Sequence, residues 1–303
     1  MSEVATARDP WAGTSDASGR CLLCQGGRRR RFRRWITSRV VQCEGCGLVF
    51  VHPLPTADTL HGHYNQGESS RMEYYLAAAP ADRRTFAAAL ERVARYVPPG
   101  GRVLDVGPNV GTALALAAAR GWVASGVEIN AEAARYCRER LGLSVLAGTL
   151  EDTDLPDAHY DLVLMFDVIE HLLDPLAALR RVQAALKVRG ALMISTPDIA
   201  AWSGRLLQVK PDEHLFYFSP PTLATLLRAA AFRVEFLESF DRHRNLTALG
   251  DSTTLSSALG VLRPLVRLAR RAAGDLVVRL PLRENLLALA VKDQAEWTTG
   301  ASS

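Results

Sequence analysis

Three sets of residues in this 303-residue chain have types and spacings that suit chemistry. The first is Asp105-Val106-Gly107-Pro108-Asn109-Val110-Gly111, which ends an apolar run at Arg102–Val106 and opens an alanine- and leucine-rich stretch. A strand-to-helix turn of this kind lets backbone approach a ligand at Gly107 and Gly111, and a helix start aims free N–H groups at it. Seventeen residues after Gly111, Glu128 ends a second apolar run. A carboxylate there can accept hydrogen bonds from both hydroxyls of a ribose; its other reading is an exposed strand end. The dinucleotide fingerprint has a glycine where Asn109 stands, and Asp105 would repel a pyrophosphate. Asp105 suits a ligand with an ammonium group, or else caps a helix.

The second set is Cys21-x-x-Cys24 and Cys43-x-x-Cys46, separated by 18 residues. Two such knuckles supply four thiolates for a tetrahedral metal, with Zn²⁺ the natural choice. A closed four-thiolate site has no open position, which predicts a structural metal. Disulfides or plain reduced thiols are the alternatives. Cys137, in a helical stretch, reads as packing. The third set lies at the rim where open α/β sheets bind substrates: Asp167-Val168-Ile169-Glu170-His171 and Asp212-Glu213-His214. His171 reads as a general base near neutral pH, or as packing at a helix start. His214 stands in a loop over the pocket, as a base or as a structural hydrogen-bonding group.

These sets need a scaffold, and the chain alternates regularly from Arg102 onward. Strands are predicted at Arg102–Val106, Trp122–Glu128, Ser144–Ala147, Tyr160–Phe166, Ala191–Ser195, Arg233–Phe240 and Leu286–Val291. Helices are predicted at Gly111–Arg120, Ala131–Leu141, Pro175–Val188 and Pro221–Ala231, with Ser219 as the N-cap of the last and Gly142 closing the second. Strand-helix alternation predicts an α/β fold with a doubly wound, mostly parallel, seven-stranded sheet. The expected organisation is a tail over 1–20, a zinc ribbon over 21–52 and a helical linker or cap over 53–98. A catalytic domain then runs over 99–293, with a helical insertion at about 252–280, and a tail covers 294–303.

The segment VLDVGPNVGTALALAAARGWVASGVEIN resembles the first two motifs of class I S-adenosylmethionine-dependent methyltransferases. The resemblance runs on through LAGTLEDTDLPDAHYDLVLMFDVIEH and covers about residues 102–240. It implies a Rossmann-like methyltransferase fold. It also implies that Asp105, Gly107 and Gly111 hold the methionine part of S-adenosylmethionine and Glu128 the ribose. Thr149, Leu150 and Glu151 would border the adenine, and Asp167 would lie near the sulfonium. The sequence departs from the family at Pro108-Asn109, where a small residue and a glycine are usual. The cysteine ribbon with GLVFVHPLPTADTLHGHYN resembles the N-terminal module of zinc-containing bacterial methyltransferases, including C-methyltransferases of nucleotide-linked keto-sugars, which are longer. That resemblance makes Glu213 and His214 the pair at the reacting centre, with the histidine as base.

The implied reaction is methyl transfer to an oxygen or carbon of a small-molecule acceptor. The Asn/Asp-Pro-Pro-Tyr motif of base-amine methylation is missing after the fourth strand, which counts against a nucleic-acid partner. The competing readings are an RNA methyltransferase that uses the six arginines of residues 28–34, and a non-catalytic protein that binds S-adenosylmethionine. Net charge is only +4. No apolar run of about 18 residues predicts a transmembrane helix. The start of the chain has no apolar segment, so a cytoplasmic protein is expected. Residues 258–283 interleave leucine and valine with arginine, which reads as a lid, a dimer contact or a membrane-surface helix.

Overall fold

The computed structural model describes residues 20–65, 68–245, 276–279 and 281–292. Most of the expected insertion at 252–280, much of the 258–283 stretch, and the two tails lie outside the described residues.

Three short strands come first: β1 (Arg29–Arg31), β2 (Val40–Cys43) and β3 (Val49–Val51). Helices α1 (Ala57–Asn65) and α2 (Glu68–Val93) follow. The alternating part then runs β4 (Arg102–Val106), α3 (Thr112–Ala119), β5 (Val123–Glu128), α4 (Ala131–Leu141), β6 (Ser144–Ala147) and β7 (Tyr160–Phe166). It continues with α5 (Pro175–Ala185), β8 (Leu186–Pro197), α6 (Trp202–Leu207), β9 (Phe216–Tyr217), α7 (Pro220–Ala229) and β10 (Phe232–Phe240). A small hairpin pairs β11 (His243–Asn245) with β12 (Val277–Arg279), and β13 (Asn285–Lys292) closes the main sheet.

The main sheet has seven strands in the order β10-β13-β8-β7-β4-β5-β6. The strands from β8 to β6 are parallel; β13 runs antiparallel to both β8 and β10. This is the Rossmann-like methyltransferase fold. The order reverses between β4 and β7, and a crevice opens outside the carboxyl ends of strands at such a switch point. Asp105, Glu128 and Asp167 all come from strand ends on that rim.

Period-two alternation divides the core. Val103, Leu162, Leu164 and Met193 face α2 and α3 with Leu90, Val93, Leu116 and Ala117. Leu104, Val163, Met165 and Ile194 face the opposite layer with Leu179, Leu223 and Leu227. Cutting a fully buried leucine such as Leu164 to alanine would cost about 2–5 kcal/mol.

Local capping follows the residue types. Asn130 Oδ1 accepts the Ala133 N–H at 2.8 Å at the start of α4, and Gly142 ends it with φ 66°. Asp174 caps α5 through the Ala177 N–H at 2.9 Å. Ser219 caps α7, with its own N–H donating to the Thr222 hydroxyl at 2.9 Å.

The predicted helix to Val188 stops at Ala185. Leu186 is fully buried and pairs with Tyr160, and Lys187 reaches Asp161 at 2.7 Å, so sheet contacts override helix propensity there. Gly190 lies inside β8.

Candidate active site

The turn after β4 is tightly wound. Gly107 has φ 70° and Gly111 φ 76°, both left-handed. A Cβ on Gly107 would come within 2.9 Å of Val168 Cγ2, and one on Gly111 within 3.0 Å of Cys137 Sγ. Pro108 packs over Gly126 of β5, where a Cβ would meet Pro108 Cγ at 2.9 Å. Asn109, at φ 52°, takes the left-handed conformation that a glycine would otherwise supply. Its N–H donates to Glu128 Oε2 at 2.7 Å, and its carbonyl accepts the Cys137 thiol at 3.2 Å. In this structure Pro108 and Asn109 stitch the turn to β5 and α4.

Two acids line this turn. Asp105 is 2% exposed, and its Oδ2 has no partner. Burial raises its pKa well above the usual carboxyl value, and Glu128 adds to the shift. Glu128 is also buried; its oxygens accept the backbone N–H groups of Asn109 and, at 2.9 Å, Asn130. Burial outweighs those bonds and raises its pKa too. An unpartnered acidic oxygen beside backbone that a side chain would fill suits an ammonium-bearing ligand, so these residues fit S-adenosylmethionine. At the end of β6, Thr149 Oγ1 bonds Asp152 at 2.8 Å, Leu150 is buried and Glu151 is exposed.

Asp167 follows β7 with φ 55°. Its Oδ1 accepts from Ser195 Oγ at 2.9 Å, and its Oδ2 is bound by Arg242 Nη1. Arg242 also reaches Asp82 of α2 at 2.8 Å. Burial works against the guanidinium charge, but Asp167 and Asp82 overcome it, so it stays charged. Arg242, Ser195 and Asp82 escape a reading of the sequence. They lie on separate elements, and only the closed sheet brings them together.

Glu170, His171 and His214 gather with their ligand-capable atoms within 4.8 Å of one another. His171 Nδ1 donates to the Glu213 carbonyl at 2.8 Å, and His214 Nδ1 donates to the Gln208 carbonyl at 2.9 Å. Each bond selects the neutral tautomer with its lone pair on Nε2. The rings stand edge to face, 4.9 Å apart. Burial lowers both pKa values, and His214 lies well below the usual range, with His171 and Lys210 contributing. Glu170 is 1% exposed; Thr196 bonds its Oε2 at 3.0 Å, while Oε1 has no hydrogen-bond partner and lies 4.0 Å from His171 Nε2. Burial, with Asp167 second, pushes its pKa up to about 8. The Glu213 carboxylate faces Lys210 at 3.7 Å in a half-exposed pair, so its backbone carbonyl is the group that meets His171.

The four paired cysteines also converge. Cys21 and Cys46 sulfurs are 3.4 Å apart, Cys24 and Cys43 3.5 Å, and all four sulfurs lie within 4.8 Å of one another. Zinc-sulfur bonds of about 2.3 Å in a tetrahedron set sulfurs roughly 3.8 Å apart, so the cluster fits the ion. Burial opposes the Cys43 thiolate, but N–H groups of Cys46 and Gly45 and the Cys24 thiol lower its pKa to about 7.

Residues 77–236 match the family described as a methyltransferase domain. A Mycobacterium tuberculosis protein named as a probable S-adenosylmethionine-dependent methyltransferase is 33% identical over 132 residues, 43% of this chain and 48% of its own. The chain thus spans about half the length of the mycobacterial relatives it matches. A ubiquinone biosynthesis O-methyltransferase of Xanthomonas campestris is 25% identical over 56% of this chain and 80% of its own. Among solved structures, an S-adenosylmethionine-dependent methyltransferase from Thermotoga maritima superposes with a TM-score of 0.52. It shares 19% identity and covers 77% of this chain and 100% of its own, which is likeness of fold.

Proposed function

The chain belongs to the methyltransferase-domain family, and from that premise we propose that it transfers a methyl group from S-adenosylmethionine to an oxygen or carbon of a small molecule. The observation that carries the reading is the buried, unpartnered Asp105 oxygen beside the Gly107 turn, with Glu128 at the next strand end. Asp105 holds the ammonium of the methionine part. Glu128 receives the ribose, with its two backbone N–H bonds fixing its orientation. Thr149, Leu150 and Glu151 border the adenine, and Asp167 faces the sulfonium side, held by Arg242 and Ser195.

Bound S-adenosylmethionine supplies a methyl group on a sulfonium, a leaving group that needs no activation. The chain has to orient the acceptor and take its proton. His214 and His171 are the candidates for proton removal, because a backbone carbonyl holds each Nδ1 and leaves Nε2 as the proton-accepting atom. Glu213 acts through its carbonyl by setting the His171 tautomer. Zinc occupies Cys21, Cys24, Cys43 and Cys46 and holds the N-terminal module. The likeness to the Xanthomonas O-methyltransferase supports an oxygen acceptor.

Incubation with isotopically labelled S-adenosylmethionine and fractionated cell extract, followed by mass identification of the labelled product, tests the acceptor class. A labelled small molecule with a new O- or C-methyl group is the expected product. A second reading, methylation of RNA, draws on β1, whose three arginines are all exposed, and on Trp35, which is 63% exposed beside them. Label recovered in RNA would favour it over the small-molecule reading.

A further inference from the structure

The loop that carries His214 is built into the sheet of the cysteine module. Strands β1, β2, β3 and β9 form one antiparallel sheet, and β9 is Phe216–Tyr217, just after His214. Val49 pairs with Tyr217 and Phe50 with Phe216, and the Val51 N–H donates to the Leu215 carbonyl at 2.8 Å. From between the cysteine pairs, Arg39 reaches Asp212 Oδ1 at 2.5 Å and the Pro211 carbonyl at 3.4 Å. The next link leads to the other histidine: the Leu215 N–H donates to the Glu170 carbonyl at 2.8 Å. Packing follows the same line. Cys21, Cys43, Leu48 and Phe50 share one apolar cluster with Leu215, Phe216 and Phe218.

We infer that metal held by the four cysteines positions the 210–218 loop, so that the module is a positioning part of the histidine cluster and more than a separate appendage. This rests on the zinc reading of the cysteine cluster. The physical reason lies in the shortness of the strands. β1 and β3 have three residues each and β2 four, too few to hold a sheet by themselves. The sulfurs sit at the turn that joins β2 to β3, and Cys43 is the last residue of β2. A metal there ties the β2–β3 turn to the Cys21–Cys24 knuckle, and β3 in turn supplies the partner of β9. Without it, β3, the strand that β9 pairs with, loses its support.

The test is amide hydrogen exchange on the full chain, with metal content measured on the same sample. Removal of zinc by a chelator should speed exchange at 212–218 at least about tenfold and leave β4, β7 and β8 at their original rates. Zinc added back should restore protection. The Cys24 thiol is exposed, so Cys24→Ser should mimic the loss, whereas Cys24→His, which keeps a ligand, should retain metal and protection. Arg39→Ala, with zinc retained, should speed exchange at 212–214 severalfold, and it serves if the stripped protein precipitates. Protein purified without metal would overturn the inference together with the zinc reading. Bound metal whose removal leaves 212–218 unchanged, or loosens the whole main sheet equally, would overturn the inference alone, as would wild-type exchange in Arg39→Ala.

Discussion

At the scale of single residues, the proposed ligand binding turns on buried acids whose ionisation burial opposes. Burial, with Glu128 second, raises the pKa of Asp105 in the ligand-free protein, whereas an ammonium ligand favours its carboxylate. Affinity for S-adenosylmethionine should therefore tighten as pH rises above the ordinary carboxyl range, with a proton released on binding. Asp105→Asn should remove that pH dependence and weaken binding by about 2–3 kcal/mol, close to a hundredfold, in calorimetric titrations at several pH values. Glu170 gives a stability prediction. Its folded pKa of about 8 lies above that of an unfolded carboxyl, so its stabilising contribution is full in acid and fades as pH rises through about 8. Glu170→Gln should flatten the fall of melting temperature across that window. Positions were readable from sequence: Asp105 and Glu128 lie at the ends of β4 and β5, the four paired cysteines converge, and His171 follows β7. The Arg242 clamp was not readable, because Asp82, Asp167, Ser195 and Arg242 come from four separate elements and share no local pattern.

At the scale of elements, the turn after β4 is the sensitive place. Gly107→Ala meets both a left-handed φ and Val168 at 2.9 Å, so it should cost roughly 1–3 kcal/mol and lower the melting temperature. Asp174→Ala, which removes an exposed cap from α5, should cost only about 1 kcal/mol and leave ligand affinity unchanged. A denaturation series on the two variants checks the contrast. The strands of the main sheet were legible because β7 from Leu162 to Phe166 and β8 from Ala191 to Ile194 are unbroken apolar runs, and β4, β5 and β6 end at punctuating acids or glycines. β9, β11 and β12 were not: they have two or three residues each, and long-range pairing alone makes them strands. The end of α5 was misplaced for the same reason, since Leu186 is helix-favouring in isolation and joins the sheet through Tyr160.

At the scale of the whole molecule, the seven-stranded sheet, the crevice at its switch point and the cysteine module form one connected body. The module shares an apolar cluster with β4, β7 and β8, and its sheet takes in the loop beside the histidines. Among the described residues, no helix is long and apolar enough to cross a membrane. The central claim concerns the crevice, and calorimetric titration of the full chain with S-adenosylmethionine tests it most directly. One-to-one binding is expected, with a dissociation constant on the order of 1 μM to 1 mM, weakened by Asp105→Asn and by Glu128→Gln. Absence of binding at millimolar ligand, in protein that melts cooperatively, would contradict it.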